Sequence, residues 1–192
     1  MIAGVVLAAG ASSRMGRPKA LLPIDGRPAG ERVAATLRSG GCDPVVVVVG
    51  RHAAEIRAGA DLTACTVVDH AGWAAGRTSS LAAGLGALPG GVTAAVLALV
   101  DMPYVRAATV RALVAAAALA SRPEVVVPVH GGRSGHPVLL HAALFPAIRA
   151  LPGDTPLREL LRTRRRLDLP VDDPGVLVDL DTPDDLPPPG TS

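Results

Sequence analysis

Val45-Val-Val-Val-Val49 decides the fold class, because five β-branched residues in succession leave no polar face. Such a run reads as a strand buried on both sides, the habit of a parallel sheet covered by helices. Upstream, residues 2–7 read as a second buried strand and residues 8–19 as a Gly/Ser/Arg loop. Residues 30–39 carry a helical pattern, with Val33 and Leu37 on one face. Downstream come a short helix near 52–58, a strand at 65–68, and a helix at 77–88 after Gly76. Val92 to Val100 is a further strand, stopped by Asp101-Met-Pro103; an Ala-rich helix at 106–120 and a strand from Val125 to Val129 follow. The pattern then changes. Residues 131–140 are turn-rich and predict a small antiparallel insertion, followed by helices near 141–150 and 155–162 and a last short strand from Val176 to Leu180. Strands alternating with helices predict one α/β domain over 1–186, doubly wound on a mostly parallel, Rossmann-like sheet. Residues 187–192, Pro-Pro-Pro-Gly-Thr-Ser, read as a disordered tail. Ligands of such sheets bind beyond the carboxyl ends of the strands.

Composition excludes several classes. A net charge of +2 and three aromatics, Trp73, Tyr104 and Phe145, argue against a nucleic-acid surface. Cys42 and Cys65 lack metal or redox spacing. The start has no basic leader and the apolar runs are short of a membrane span, so a cytoplasmic location without membrane association is expected. Asn and Gln are absent, and Lys19 is the one lysine beside eighteen arginines. An ammonium kept under such a bias raises a question of function, because a point charge and a planar fork are not interchangeable.

The loop after the first strand, Leu7-Ala-Ala-Gly-Ala-Ser-Ser-Arg-Met-Gly-Arg-Pro-Lys19, joins small residues to three cations. Small residues let backbone N–H groups approach an anion, and Arg14, Arg17 and Lys19 suit a triphosphate. The spacing matches neither a Walker A loop nor the dinucleotide Gly-x-Gly-x-x-Gly. Asp101, at a strand's carboxyl end, either faces the ligand crevice or caps the next helix. Asp179 and Asp181 share one face of an extended segment, and Asp181 also stands where it could cap a helix containing Pro183. Asp184 and Asp185 suit a first helical turn. Ser79 and Ser80 read as a helix-start cap or as ligand contacts. Arg162 to Arg166 reads as a solvated face.

Residues 7–19 resemble, at every fixed position, the Leu-Ala-Ala/Gly-Gly-x-Ser-x-Arg-Met-Gly-x-x-Lys signature of the molybdenum-cofactor nucleotidyltransferases. Leu-Val-Asp101-Met-Pro103 and Asp179-Leu-Asp181-Thr-Pro-Asp-Asp-Leu resemble two further strings of that family, in the same order. The resemblance implies that Leu7, Ala8, Ala9, Gly10, Ser12, Ser13, Gly76, Ser79 and Ser80 lie against the nucleotide. It implies that Arg14 and Lys19 bind phosphates, and that Arg14, Lys19 and Asp101 carry catalysis. Asp101 with Asp181 would hold Mg²⁺, and His136, in Gly-His-Pro, would contact the acceptor. Trp73 and Gly76 match the family's Asn-Pro-x-Trp-x-x-Gly, but His70 and Ala71 replace Asn-Pro. Pro156 replaces a glycine in the string that contains Asp154.

The implied reaction is transfer of CMP from CTP to the terminal phosphate of a molybdopterin-type acceptor, with release of pyrophosphate. A transient contact with a receiving molybdoenzyme or its chaperone would follow. Ala9 resembles the cytidylyl members, whereas guanylyl members carry glycine there. Guanylyl transfer, or transfer to another phosphorylated acceptor, is the near alternative. A non-catalytic cofactor carrier is an alternative of another class, and a nicotinamide oxidoreductase a third.

Overall fold

The computed structural model describes residues 1–119 and 123–186. The tail reading at 187–192 falls outside them. The order is β1 (Ile2–Ala8), β2 (Pro23–Ile24), β3 (Arg27–Pro28), α1 (Ala29–Ser39), β4 (Val45–Val49), α2 (Ala53–Gly59), β5 (Thr66–Asp69), α3 (Arg77–Gly86), β6 (Ala94–Leu99), α4 (Ala107–Ala116), β7 (Val125–His130), β8 (Arg133–Ser134), β9 (Val138–His141), α5 (Phe145–Ala150), α6 (Leu157–Leu161) and β10 (Arg166–Pro170). Seven strands run β10-β7-β9-β6-β1-β4-β5, and β8 adds to β7. Every pairing in this sheet is parallel except those of β8 and β9. The fold is the mostly parallel α/β sheet expected. The antiparallel elements expected near 131–140 are β8 and β9, and β9 lies within the main sheet between β6 and β7.

Period-two alternation divides β4 between two cores. Val45, Val47 and Val49 join the cluster with Leu37, Ile56 and Leu113, while Val46 and Val48 join the one with Leu81, Leu85 and Ile148. Helices α1, α2 and α4 therefore cover one face, and α3 and α5 the other. A third, small cluster (Met15, Leu22, Ile24, Ala29 and Leu180) lies beneath the first loop.

Three elements differ from the sequence reading. Residues 23–28 form a hairpin, β2–β3, turning on Asp25 and Gly26, both with positive φ. Residues 166–170, given no element from the sequence beyond Arg166 at the end of the solvated run, form β10, which pairs with β7 at the sheet edge. Val176 to Leu180 is not a strand: Pro174–Leu177 is a 3₁₀ helix followed by unladdered chain. Its backbone bonds go instead to two loops, with His136 N donating to Val176 O and Leu180 N to Asp101 O. Gly175 is pressed against the Tyr104 carbonyl, leaving no space for a side chain.

Candidate active site

Strands β1 and β6 run level, Leu7 opposite Leu99, so the loops that follow them leave the sheet side by side. In the first loop Ser12 adopts φ +50°, and its carbonyl accepts from Met15 N and Gly16 N. Its hydroxyl accepts from Lys19 N at 3.1 Å. Met15 is buried, which anchors the loop. Lys19 then starts a 3₁₀ turn, Lys19–Leu21, after Pro18 and sends its side chain back across the strand ends. Its Nζ lies 3.0 Å from Asp101 Oδ2 and 2.6 Å from Asp181 Oδ1. Arg14 Nη2 reaches Asp181 Oδ2 at 3.0 Å. Side-chain exposure falls from 69% at Arg14 to 33% at Asp181, 24% at Asp101 and 14% at Lys19. The cluster thus points inward from a solvent-facing rim.

Burial opposes the Lys19 charge, but hydrogen bonds to Asp181 and Asp101 outweigh it and raise the ammonium's pKa. The hydrogen bond from Lys19 holds the Asp181 carboxyl below its usual range. Asp101 Oδ1 is buried and has no partner.

Asp181 is delivered by the chain around it. Leu180 is fully buried against Met15 and donates its N–H to the Asp101 carbonyl at 2.8 Å. On the other side, Asp185 Oδ2 accepts from Asp181 N and Thr182 N. These backbone bonds hold the Asp185 carboxyl below its usual range. Asp179 is exposed and lies outside the cluster. The helix-cap alternative for Asp101 falls, because α4 begins only at Ala107. Arg106 holds the N-cap position, and the carboxylate at that end is Asp173, whose Oδ2 accepts from Arg106 N and Thr109 Oγ1.

A cleft of about 290 Å³ opens beside the cluster, lined by residues 7–12, Lys19, Asp101, Trp73, Gly76 and Ser80 among others. Gly76 has φ +122°, and a methyl there would sit 2.7 Å from the Gly153 carbonyl. Ser13 is exposed outside this lining. Ser79 is also outside it, and its hydroxyl donates to Gly76 O and meets His70 Nε2. Ser79 thus serves the start of α3, and His70, standing where the family has Asn, supports it. His52, which the sequence reading passed over, lines the cleft and meets Ala11 O with Nε2 and Glu55 with Nδ1. Its position just past the end of β4 was the available signal.

A second cleft, about 790 Å³, joins the first through Leu7, Arg77 and Leu99. His136 lines it, with Nδ1 buried and unpartnered. Burial, and then the nearby Arg77 charge, lower the His136 pKa, keeping the ring neutral near pH 7. Arg162, Arg164 and Arg166 also line this cleft, so the stretch read as a solvated face is in part a wall. Arg77 was missed as well, although it directly follows Gly76.

Among the described residues no group of three His, Cys, Asp or Glu could hold a metal. A hard cation such as Mg²⁺ needs less from protein: two carboxylates, with phosphate oxygens and water completing six positions. Asp101 and Asp181 already share one cation, Lys19 Nζ, and the free Asp101 Oδ1 is a lone acceptor. The residues fit the ion.

A nucleotide-sized cleft flanked by small backbone, one lysine and two carboxylates defines a phosphate-handling α/β protein. The chain belongs to the family of the MobA-like NTP transferase domain, which it matches over residues 4–169. It is 38% identical over 175 residues to the nicotine blue oxidoreductase of Paenarthrobacter nicotinovorans, covering 85% of this chain and 82% of that one. It is 41% identical over 107 residues to a probable molybdenum cofactor guanylyltransferase of Opitutus terrae, covering 56% and 51%. It is 25% identical over 184 residues to the molybdenum cofactor cytidylyltransferase of Escherichia coli, covering 95% and 92%. Among solved structures, Rv0371c of Mycobacterium tuberculosis H37Rv in complex with manganese superposes with a TM-score of 0.79 at 30% identity, over 96% and 95% of the chains. No helix among the described residues is long and apolar enough to cross a membrane.

Proposed function

We propose that the chain transfers CMP from CTP to the terminal phosphate of molybdenum cofactor, with Mg²⁺ as the metal. One observation carries the reading: Lys19, Asp101 and Asp181 meet at the mouth of the 7–12 cleft, which continues into a second cleft large enough for an acceptor. An acceptor phosphate oxygen forms the new bond to the α-phosphorus, and the α–β bridging oxygen leaves with pyrophosphate. The attacking phosphate is ionised near neutrality, so no general base is needed. Loop N–H groups and Arg14 hold the phosphates, Lys19 neutralises developing charge, and neutral His136 contacts the acceptor. Asp101 and Asp181 would hold Mg²⁺, which supplies charge neutralisation at the phosphates. A structural relative at 30% identity was solved in complex with manganese, which supports a divalent metal for this chain.

Ala9 supports CTP. It lines the nucleotide cleft, at the position where the guanylyl members it is compared with carry glycine. The Opitutus relative supports GTP as the alternative. Pyrophosphate release with each of the four triphosphates, Mg²⁺ and molybdopterin cofactor tests the reading. Release with CTP alone is expected, release with GTP transfers the assignment to guanylyl transfer, and release with neither rejects it.

A second reading is carried by the Paenarthrobacter relative, whose name is that of an oxidoreductase. The chain lacks Gly-x-Gly-x-x-Gly, so a nicotinamide would need another cradle. Oxidation of NADH or NADPH by the purified protein with a quinonoid dye acceptor would favour this reading over transfer.

A further inference from the structure

The larger cleft carries more positive charge than the transfer step uses. Arg158 lies in α6, Arg162 and Arg164 follow it, and Arg166 opens β10; all four line the cleft. Neither Lys19 nor Asp101 is part of that lining, and Asp154 is its one carboxylate. The placement follows from the turn between α6 and β10: Arg164 N donates to Leu161 O, and Arg165 N donates to Glu124 Oε2 at 3.0 Å, which pins the chain where it enters β10. Arg166 is held in place by Asp168 and Ser134. The other three are not neutralised. Among the described residues, Arg158 and Arg162 make no side-chain hydrogen bond or ion pair, and Arg164 Nε is buried without a partner. Across from them, Leu97, Val127 and Val138 present an apolar wall. Three free guanidinium groups facing an apolar wall suit a ligand with an apolar body and an anionic edge.

We infer that Arg158, Arg162 and Arg164 form a second anion site, which takes a negatively charged group of the acceptor other than the phosphate that receives the nucleotidyl group. The inference rests on the transfer reading above and narrows its acceptor class. The substrate carries a second anionic group apart from its phosphate, with the phosphate near Arg77 at the junction of the clefts and the second group at the arginine cluster. A small sugar phosphate, charged at one end, would leave the cluster empty. Two distinct anchors also fix the direction in which the acceptor lies, which brings its phosphate to the transfer site.

The test is equilibrium binding of molybdopterin, and separately of CTP, to the wild-type protein, to Arg158→Gln/Arg162→Gln and to Arg164→Gln, at several NaCl concentrations. Arg158 and Arg162 are exposed, so their double variant keeps the fold even where Arg164→Gln does not. The expected result is a fall of about 10- to 100-fold in molybdopterin affinity with a flatter salt dependence, and CTP affinity unchanged. Unchanged molybdopterin affinity and salt dependence in the double variant, with wild-type binding intact, overturns the second site alone. An equal loss of CTP affinity in that variant also overturns it, because the effect would then not be confined to the acceptor. A wild-type protein that binds CTP but not molybdopterin overturns the transfer reading and the site with it.

Discussion

Lys19 Nζ lies 2.6 Å from Asp181 Oδ1, although 162 positions separate them. The ammonium stands between the two carboxylates proposed to hold the metal, and with Arg14, also paired to Asp181, it balances their charge. A metal held by both carboxylates would displace it and free Lys19 for phosphate.

Lys19→Met should therefore bind Mn²⁺ more tightly than the wild-type protein in the absence of nucleotide, by about tenfold, the scale of one lost charge pair near a surface. Turnover should fall by about 100-fold or more, and Lys19→Arg should recover only part of it. Electron paramagnetic resonance of free Mn²⁺ and pyrophosphate release check the two effects. Mn²⁺ affinity equal to or weaker than wild type would show that the lysine does not compete.

Asp101→Asn should remove Mg²⁺-dependent turnover while CTP binding survives through the loop. Asp181→Ala should lose activity that raised Mg²⁺ restores only in part, since a ligand and a charge are both gone. Asp179→Ala, at an exposed position outside the cluster, should be mild. Initial rates against Mg²⁺ concentration rank the three; a dead Asp179→Ala beside a normal Asp181→Ala would reverse the assignment.

His136 carries a lowered pKa in the folded protein. The unfolded chain then binds this proton more readily. Its contribution to stability is complete above the unfolded value of about 6.5 and is lost as pH falls toward the folded value, by at most about 1.4 kcal/mol per pH unit. Urea unfolding at pH 7.5 and 5.5 should show this loss in the wild-type protein and a smaller one in His136→Gln. Equal losses would place the proton elsewhere.

Gly50→Ala should disturb the nucleotide loop from behind. A methyl there would lie 2.7 Å from both the Ala9 carbonyl and Trp73 Cβ. We expect about 1–3 kcal/mol of destabilisation and a raised KM for the triphosphate. Denaturant unfolding with parallel kinetics checks it; wild-type stability would mean that loop and indole shift freely.

Much of the architecture was legible. The run Val45–Val49 announced a strand buried on both faces, and Val45 and Val46 do enter opposite cores. Two elements were legible and passed over. Ile24-Asp-Gly-Arg27 carries the Asp-Gly turn that favours a tight hairpin, and Arg166-Leu-Asp-Leu-Pro170 alternates exposed and half-buried residues, as an edge strand should. The strand expected at 176–180 failed because apolar residues in a row do not specify a ladder partner. Here the neighbouring loops took the backbone bonds.

For the site, the sequence by itself determined which chemical groups are present: a small-residue loop, one lysine, Asp101 closing a strand, and two aspartates in a C-terminal string. These are local facts, set by residue type and by where strands end. Tertiary structure alone decided which groups meet. Asp179 and Asp181 are equivalent by spacing; burial of Leu180 against Met15 and its bond to the Asp101 carbonyl turn Asp181, not Asp179, toward Lys19. Arg162 and Arg164 read as solvent-facing for the same reason. Charge and period describe a chain's own surface, whereas a cleft wall exists only once the opposite wall, contributed by β6, β7 and β9, has folded into place.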